Sequence, residues 1–426
     1  MCDRLRSMRL HINNIGAIRD ADMRLEGITV LTGENGTGKS TVCRTLFATV
    51  KALRKGSDDV RRSRRRSTYN LLVDYLMRGD HAFEDMPESS LSETADALVA
   101  MLPEQVDDSS VAGVIDRSLP SDGPDDEAER ALLMDRLRKR LSFSDEEVLR
   151  QLRGDVLRGE HVSGRGARGA DGYAEVEFPG RPLTRLTVQG DATVNPRPEN
   201  PLMGLTTDVT MLDDPRLLDR AGVSSFRSAF WGRGDAHASD LAEKILSRGE
   251  TDAVTTLANN DSIAGVLNAL RDHAGGDLIV DRYGLKFKED GLGRDLDMRD
   301  VSDGRKTFIM LLQLLSGNRV GEDDVLILDE PEIHLHPAWQ LDLAEMLVEL
   351  RRAFHLTILV STHSPYFLEA LETYTDHQGM ADETSYYMMR RQDGVCVCED
   401  VTHRLEQAYG LLAAPFDRLD DETGMR

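Results

Sequence analysis

The chain has few cysteines, no long apolar run and no internal repeat, and each shortage excludes a class of protein. Its four cysteines, Cys2, Cys43, Cys396 and Cys398, supply no disulfide framework. Cys396 and Cys398 read as alternate residues on one strand face. The longest apolar runs, Val325 to Leu328 and Leu356 to Val360, fall far short of the roughly 20 residues that cross a bilayer, so no membrane span is expected. Behind the basic residues of Met1 to Ser7 there is no apolar stretch, so no secretory signal is expected and the chain reads as cytoplasmic. Sustained heptads are missing too, which argues against a long coiled-coil arm. What remains is 426 residues, 40% hydrophobic and 30% charged: a globular chain with material for a sizeable core and length for about three domain-sized units.

The net charge is −23, but residues 1 to 80 hold 16 basic against 9 acidic residues. An acidic bulk opposes general coating of nucleic acid, whereas a locally basic region can still meet a phosphate backbone. Arg61-Arg-Ser-Arg-Arg-Arg66 is the densest basic run. It reads either as a grip on nucleic-acid phosphates or as a solvated helix face, and the absence of interleaved aromatics favours the second.

Along the chain, Met8 to Ile12, Ile15 to Ile18 and Gly27 to Leu31 read as short strands, followed by a glycine loop and a helix from about Thr41 to Lys55. From Gly56 to about Leu205 the sequence reads as an insertion, mainly helical and ending in strands. Leu91, Ala95, Leu98 and Leu102 form one helix face, as do Leu133, Leu137 and Leu141, and Ser144 to Glu147 is a capping box. Strand patterns recur at Tyr173 to Phe178, Arg185 to Gln189 and Asp208 to Leu212. Residues 1–55 and 206–426 are then the two halves of one core, the second half closing with a strand pair and an acidic amphipathic tail.

Four elements carry chemistry. The loop Gly33-Glu34-Asn35-Gly36-Thr37-Gly38-Lys39-Ser40 fits G-x-x-x-x-G-K-S/T at every fixed position, and Thr41 follows it. Its glycines let backbone N–H groups curl round phosphate oxygens, Lys39 is placed to neutralise β/γ charge, and Ser40 to ligate Mg²⁺. Next, the buried-strand run Val325-Leu-Ile-Leu328 ends in Asp329 and Glu330, where an open α/β sheet puts its ligands; Asp329 suits the Mg²⁺ shell and Glu330 the activation of water. Ser302 and Gly304 open an apolar helix, which reads as an anion site for a second subunit's nucleotide or as plain N-capping. Finally, Leu356 to Val360 runs into Ser361-Thr362-His363-Ser364-Pro365, which sets His363 at a strand tip. The apolar stripe Trp339, Leu343, Met346, Leu347, Leu350 and Phe354 lies on a helix between the two strands, making a β-α-β unit.

In this order the elements resemble the ATP-binding-cassette (ABC) superfamily, in its soluble branch of SMC-type, recombination-repair and OLD-family ATPases. The phrase Leu328-Asp-Glu-Pro-Glu-Ile-His-Leu-His-Pro337, the Ser361 to Leu368 stretch and the opening Leu10 to Ile18 are similar to OLD-type and related AAA-annotated prokaryotic proteins. The resemblance implies an α/β fold: an ABC-type P-loop core of mixed sheet and flanking helices, an N-terminal antiparallel β subdomain and a helical insertion. It also implies ATP and Mg²⁺ as cofactors and hydrolysis by a homodimer with composite sites. Gly33 to Thr41 become the nucleotide loop, Ser302 and Gly304 the signature, Asp329 the Walker B aspartate, Glu330 the base and His363 the switch histidine. Asp303 stands where transporters carry glycine, and Gln189 is the one candidate for the Q-loop glutamine. His334 and His336 read as interface or structural residues rather than a metal pair. No D-x-D cluster follows His363, so any TOPRIM-type nuclease is expected in trans. DNA or a partner protein is the expected target, in phage defence or DNA maintenance. A non-hydrolysing nucleotide sensor and a transporter ATPase subunit are the alternatives.

Overall fold

A computed structural model describes residues 7–78, 88–101, 107–118, 127–164, 171–178, 184–189, 193–196, 207–220, 236–246, 261–281, 284–317 and 319–423. Two compact units divide the chain: residues 1–54 with 154–426, and residues 55–153.

The larger unit is built on an eleven-stranded sheet in the order β6-β5-β4-β1-β2-β14-β13-β3-β12-β11-β7. Its strands are β1 Met8–Ile15, β2 Ile18–Leu25, β3 Ile28–Gly33, β4 Gly172–Glu177, β5 Thr184–Gln189, β6 Thr193–Pro196, β7 Val209–Leu212, β11 Val325–Asp329, β12 Thr357–Thr362, β13 Thr384–Gln392 and β14 Val395–Asp400. A separate three-stranded antiparallel sheet holds β8 Gly276–Asp281, β9 Gly284–Glu289 and β10 Asp295–Asp297. From β13 through β3, β12 and β11 to β7 every pairing is parallel, and from β6 to β2 every pairing is antiparallel. The fold is therefore α/β, a mixed sheet with an antiparallel lobe.

Side chains in the parallel half alternate between two apolar layers, as period-2 geometry requires. Ile28, Val30, Leu326, Leu328, Ile358 and Val360 join one layer, against helices Asp303–Ser316, Pro337–Phe354 and Pro365–His377. Leu31, Val325, Ile327 and Leu359 join the other, with Val42, Cys43, Leu46 and Phe47 of α1, Lys39–Arg54. Covered on both faces, these strands read as continuous apolar runs, which is why they are recognisable without any partner.

The expected strand Ile15 to Ile18 is instead a hairpin turn. Ile15 pairs with Ile18 and Gly16 takes φ 55°, which reverses the chain between β1 and β2. The helical unit closes at Arg153 and not near residue 205: β4 pairs with β1 and carries β5 and β6 with it, so the strands that end the expected insertion extend the main sheet.

The smaller unit comprises α2 Ser57–Arg78, α3 Glu88–Val99, α4 Asp108–Ser118, α5 Glu127–Leu141 and most of α6, Asp145–Gly159. Leu72, Leu91, Ala95, Leu98, Val111, Ile115, Leu133, Leu137 and Leu141 are its core; Leu102 lies outside the described residues. The capping box forms as expected: Glu147 N–H bonds the Ser144 hydroxyl, and Ser144 N–H returns to the Glu147 carboxylate at 2.8 Å. In the arginine run, Arg64 is buried and donates to the carbonyls of Leu141 and Phe143 and to Asp145, while Arg65 pairs with Asp96 and Arg62 with Asp59. At least three of its five guanidiniums are thus committed within the unit. Among the described residues no helix is long and apolar enough to cross a membrane.

Candidate active site

Parallel strands deliver their C-terminal ends to one edge of the sheet, and four of those ends meet here. The register pairs Thr362 with Thr32, Asp329 with Ser361, and Leu328 with Leu212. Gly33, His363, Glu330 and Asp213 therefore emerge side by side.

After Gly33 the chain turns through backbone conformations that only glycine adopts freely, with φ 143° at Gly33, 73° at Gly36 and 97° at Gly38. At Gly33 a Cβ would run into the Met389 carbonyl oxygen, whereas at Gly36 it would meet open space, so Gly36 is required by conformation alone. Glu34, Asn35 and Gly36 form an exposed lip. Thr37 ties it down by donating its hydroxyl to the Glu34 carbonyl at 2.7 Å. Lys39, 4% exposed, donates to the carbonyls of Gly33 and Glu34 and stands 3.3 Å from Glu330 Oε1. Thr41 follows in the first turn of α1.

Asp329 is buried at the end of β11. Burial pushes its carboxyl above the usual range, as does the charge of Glu330 and Asp213, while hydrogen bonds from Ser361 and Ser40 oppose the shift. Glu330 takes φ 51°, an uncommon conformation for a side-chain-bearing residue, held by its N–H bonding both the carbonyl and the hydroxyl of Ser361. Its Oε1 lies 3.4 Å from His363 Nδ1, so Lys39, Glu330 and His363 are brought together.

Ser302 and Gly304 belong to a different cluster. Ser302 is the N-cap of helix Asp303–Ser316 without a side-chain cap bond, and a Cβ on Gly304 would come within 2.8 Å of the His334 carbonyl oxygen. Asp303 does not stand as a bare charge: Lys306 reaches it at 2.9 Å and Arg216 at 3.2 Å. Burial would raise the Asp303 carboxyl, but these cations outweigh it and hold it below its usual value. Lys306, itself 2% exposed, also pairs with Asp219 at 2.7 Å.

Gln189 ends β5 in the antiparallel lobe, with five strands between β5 and β3. Asp213 is the side chain that follows β7 beside Asp329. It accepts from buried His237 Nε2 at 2.7 Å, and His237 Nδ1 meets Glu160 at 2.7 Å. Spacing gave no signal for this trio, because its members lie far apart in sequence. Glu332 was also missed, although it stands two residues past Glu330: it is 2% exposed and accepts from the Thr362 hydroxyl at 2.5 Å. His336 caps helix Pro337–Phe354 through Nδ1, and His334 faces Asp303 at 4.0 Å.

The donor set fits a magnesium-bound nucleotide. No group of three His, Cys, Asp or Glu among the described residues could hold a metal. A divalent ion beside Ser40 and Asp329 would thus draw most of its ligands from phosphate and water, as Mg²⁺ does. The carboxylates of Glu330 and Asp213 beside Asp329 add negative charge that would favour such an ion.

The family described as "AAA domain, putative AbiEii toxin, Type IV TA system" matches residues 121–369, and a second, "AAA domain", matches residues 9–70. Among curated proteins, the chain is similar to the "Retron Ec83 probable ATPase" of Escherichia coli, at 28% identity over 31% of this chain and 25% of that protein. It is also similar to the thiamine import ATP-binding protein ThiQ of Chelativorans sp., at 33% identity over 24% of this chain and 37% of that one. The matches thus span about a quarter and about a third of those relatives. Among solved structures, the SMC head domain from Thermotoga maritima aligns at 13% identity and TM-score 0.37, covering 93% of this chain and 99% of its own. An Smc head bound to the C-terminal domain of ScpA, from Pyrococcus furiosus, aligns at 12% and 0.40, covering 95% and 98%.

Proposed function

Because this chain belongs to the AAA-domain family, we propose that it binds ATP with Mg²⁺ and hydrolyses it to ADP and phosphate. The carrying observation is the convergence of Lys39, Glu330 and His363, with 3.3 and 3.4 Å contacts, at the ends of three adjacent parallel strands. The loop Gly33 to Thr41 holds the phosphates through its backbone N–H groups, and Lys39 leaves its resting carbonyls to meet the terminal ones. Ser40 and Asp329 would hold Mg²⁺, which would supply neutralisation of the phosphate charge. Glu330 orients the attacking water and takes its proton, and His363 contacts the terminal phosphate.

Ser302 and Gly304, at the N-terminus of the helix Asp303–Ser316, serve the nucleotide of a second copy. In this reading two chains close on two nucleotides, and Asp303 tolerates the phosphate because Lys306 and Arg216 already neutralise it. The helical unit passes the change to a partner protein or DNA, in a defence or DNA-maintenance setting. An effector such as a nuclease would be supplied in trans.

The test is steady-state hydrolysis by wild type and Glu330→Gln, with and without duplex DNA, while oligomeric size is followed. The expected result is a loss of about 100-fold or more in the variant, which remains an ATP-bound dimer. A wild type that binds ATP without turnover under every condition sinks the hydrolytic reading and leaves a nucleotide-dependent sensor.

A further inference from the structure

Glu332 is a costly group to bury. Its side chain is 2% exposed, its Oε2 has no hydrogen-bond partner, and burial pushes its carboxyl up. Stability alone would be served as well by an apolar residue of similar volume. What the carboxylate does hold is the tip of β12. Its Oε1 accepts the Thr362 hydroxyl at 2.5 Å and the His363 backbone N–H at 3.3 Å, and it stands 4.0 Å from His363 Nδ1. Thr362 Oγ1 in turn accepts from Ser364 N–H at 3.0 Å. Ser364 caps the next helix through Phe367 N–H and donates to Gln340 Oε1 at 2.8 Å. One oxygen thus anchors the turn that presents His363, whose ring is 41% exposed.

We propose that Glu332 is a positioning residue that fixes His363 for the reaction, holding its main chain and the Thr362 hydroxyl on a single buried oxygen. The role rests on the ATPase reading above and is exerted by hydrogen-bond acceptance. An uncharged acceptor of the same shape therefore suffices, and an apolar residue does not. Nδ1 faces the two carboxylates, so Nε2 is the nitrogen left to meet a phosphate oxygen.

The experiment compares Glu332→Leu, Glu332→Gln, His363→Ala and the Glu332→Leu/His363→Ala double variant in the full chain. Glu332→Leu is expected to lower kcat about 10- to 100-fold while the Kd for a fluorescent ATP analogue moves less than about 3-fold, and Glu332→Gln to regain most of that rate. The double variant should be no more than about twofold slower than His363→Ala, since the same interaction cannot be lost twice. In the nucleotide-free protein labelled with ¹⁵N-histidine, Glu332→Leu should shift the His363 ring resonance, identified by its absence in His363→Ala, and Glu332→Gln should largely restore it. Equal losses in both backgrounds, a Kd that rises as much as kcat falls, or an unmoved His363 resonance would overturn the proposal. If Glu332→Leu does not fold, Thr362→Val removes a donor from the same oxygen and carries the same expectations. A wild type without turnover refutes the ATPase reading, and the resonance still decides whether Glu332 sets His363.

Discussion

His237 sits between two carboxylates in an environment that changes its chemistry. Burial opposes its charge, yet hydrogen bonds and charge from Asp213 and Glu160 win and raise it to about 9. Arg44 stands 3.5 Å from Asp213, and the Asp213 charge also bears on Asp329. The folded value lies above the unfolded one, so the contribution to stability is complete below pH ~6.5 and is lost as pH rises through about 9. Over that window the linkage amounts to about 3 kcal/mol. Urea unfolding of wild type between pH 6 and 10 should show this decline, and His237→Gln should show a flatter profile; parallel profiles would mean that the imidazolium is not what the two carboxylates stabilise. Nothing in the sequence announced the cluster. Glu160, Asp213 and His237 are ordinary residues at ordinary spacings, and only the closing of the sheet brings them together. The Gly33 to Ser40 loop was legible for the opposite reason: its chemistry lies in consecutive residues, so spacing alone carries it.

Elements were legible where both their faces are buried or their ends are capped by side chains. β3, β11 and β12 read correctly because apolar runs need no knowledge of a partner. The Ser144 box fixed the start of α6 through two bonds that are purely local. By contrast, β4 to β6 alternate as they would in an appended lobe or in the main sheet, and alternation does not say which strand lies alongside. A second local feature gives a test. Helix Pro337–Phe354 ends at His355 with φ 53°, a left-handed conformation that costs a branched backbone and suits glycine. His355→Gly should stabilise the protein by about 0.5–1 kcal/mol, read as a higher urea midpoint at unchanged slope. A lower midpoint would show that the imidazole contributes more than the conformation costs.

At the scale of the molecule, residues 55–153 have an apolar core of their own. Their two ends are adjacent, since the Arg153 guanidinium donates to the Lys55 carbonyl at 3.4 Å. Expressed alone, this segment should keep helical circular dichroism and melt in one cooperative transition, and a broad, non-cooperative melt would show that it depends on the remainder. The unit's second boundary lies inside α6, a helix with no break in its pattern, so periodicity carries no signal for it.

The parallel pairing of β3 also constrains how the protein comes into being. The strand that leads into the glycine loop is made well before both its sheet neighbours, β12 and β13, which follow about 320 residues or more later. At roughly 5–20 residues per second the loop waits on the order of 20–60 s before the edge that completes it exists. During that interval the helical unit can already fold, whereas β3 offers two unpaired sides to any chaperone or neighbouring nascent chain. Completion of this edge is therefore a late event in synthesis, and a chain truncated before β12 should be a client for quality control, its glycine loop left without either sheet neighbour.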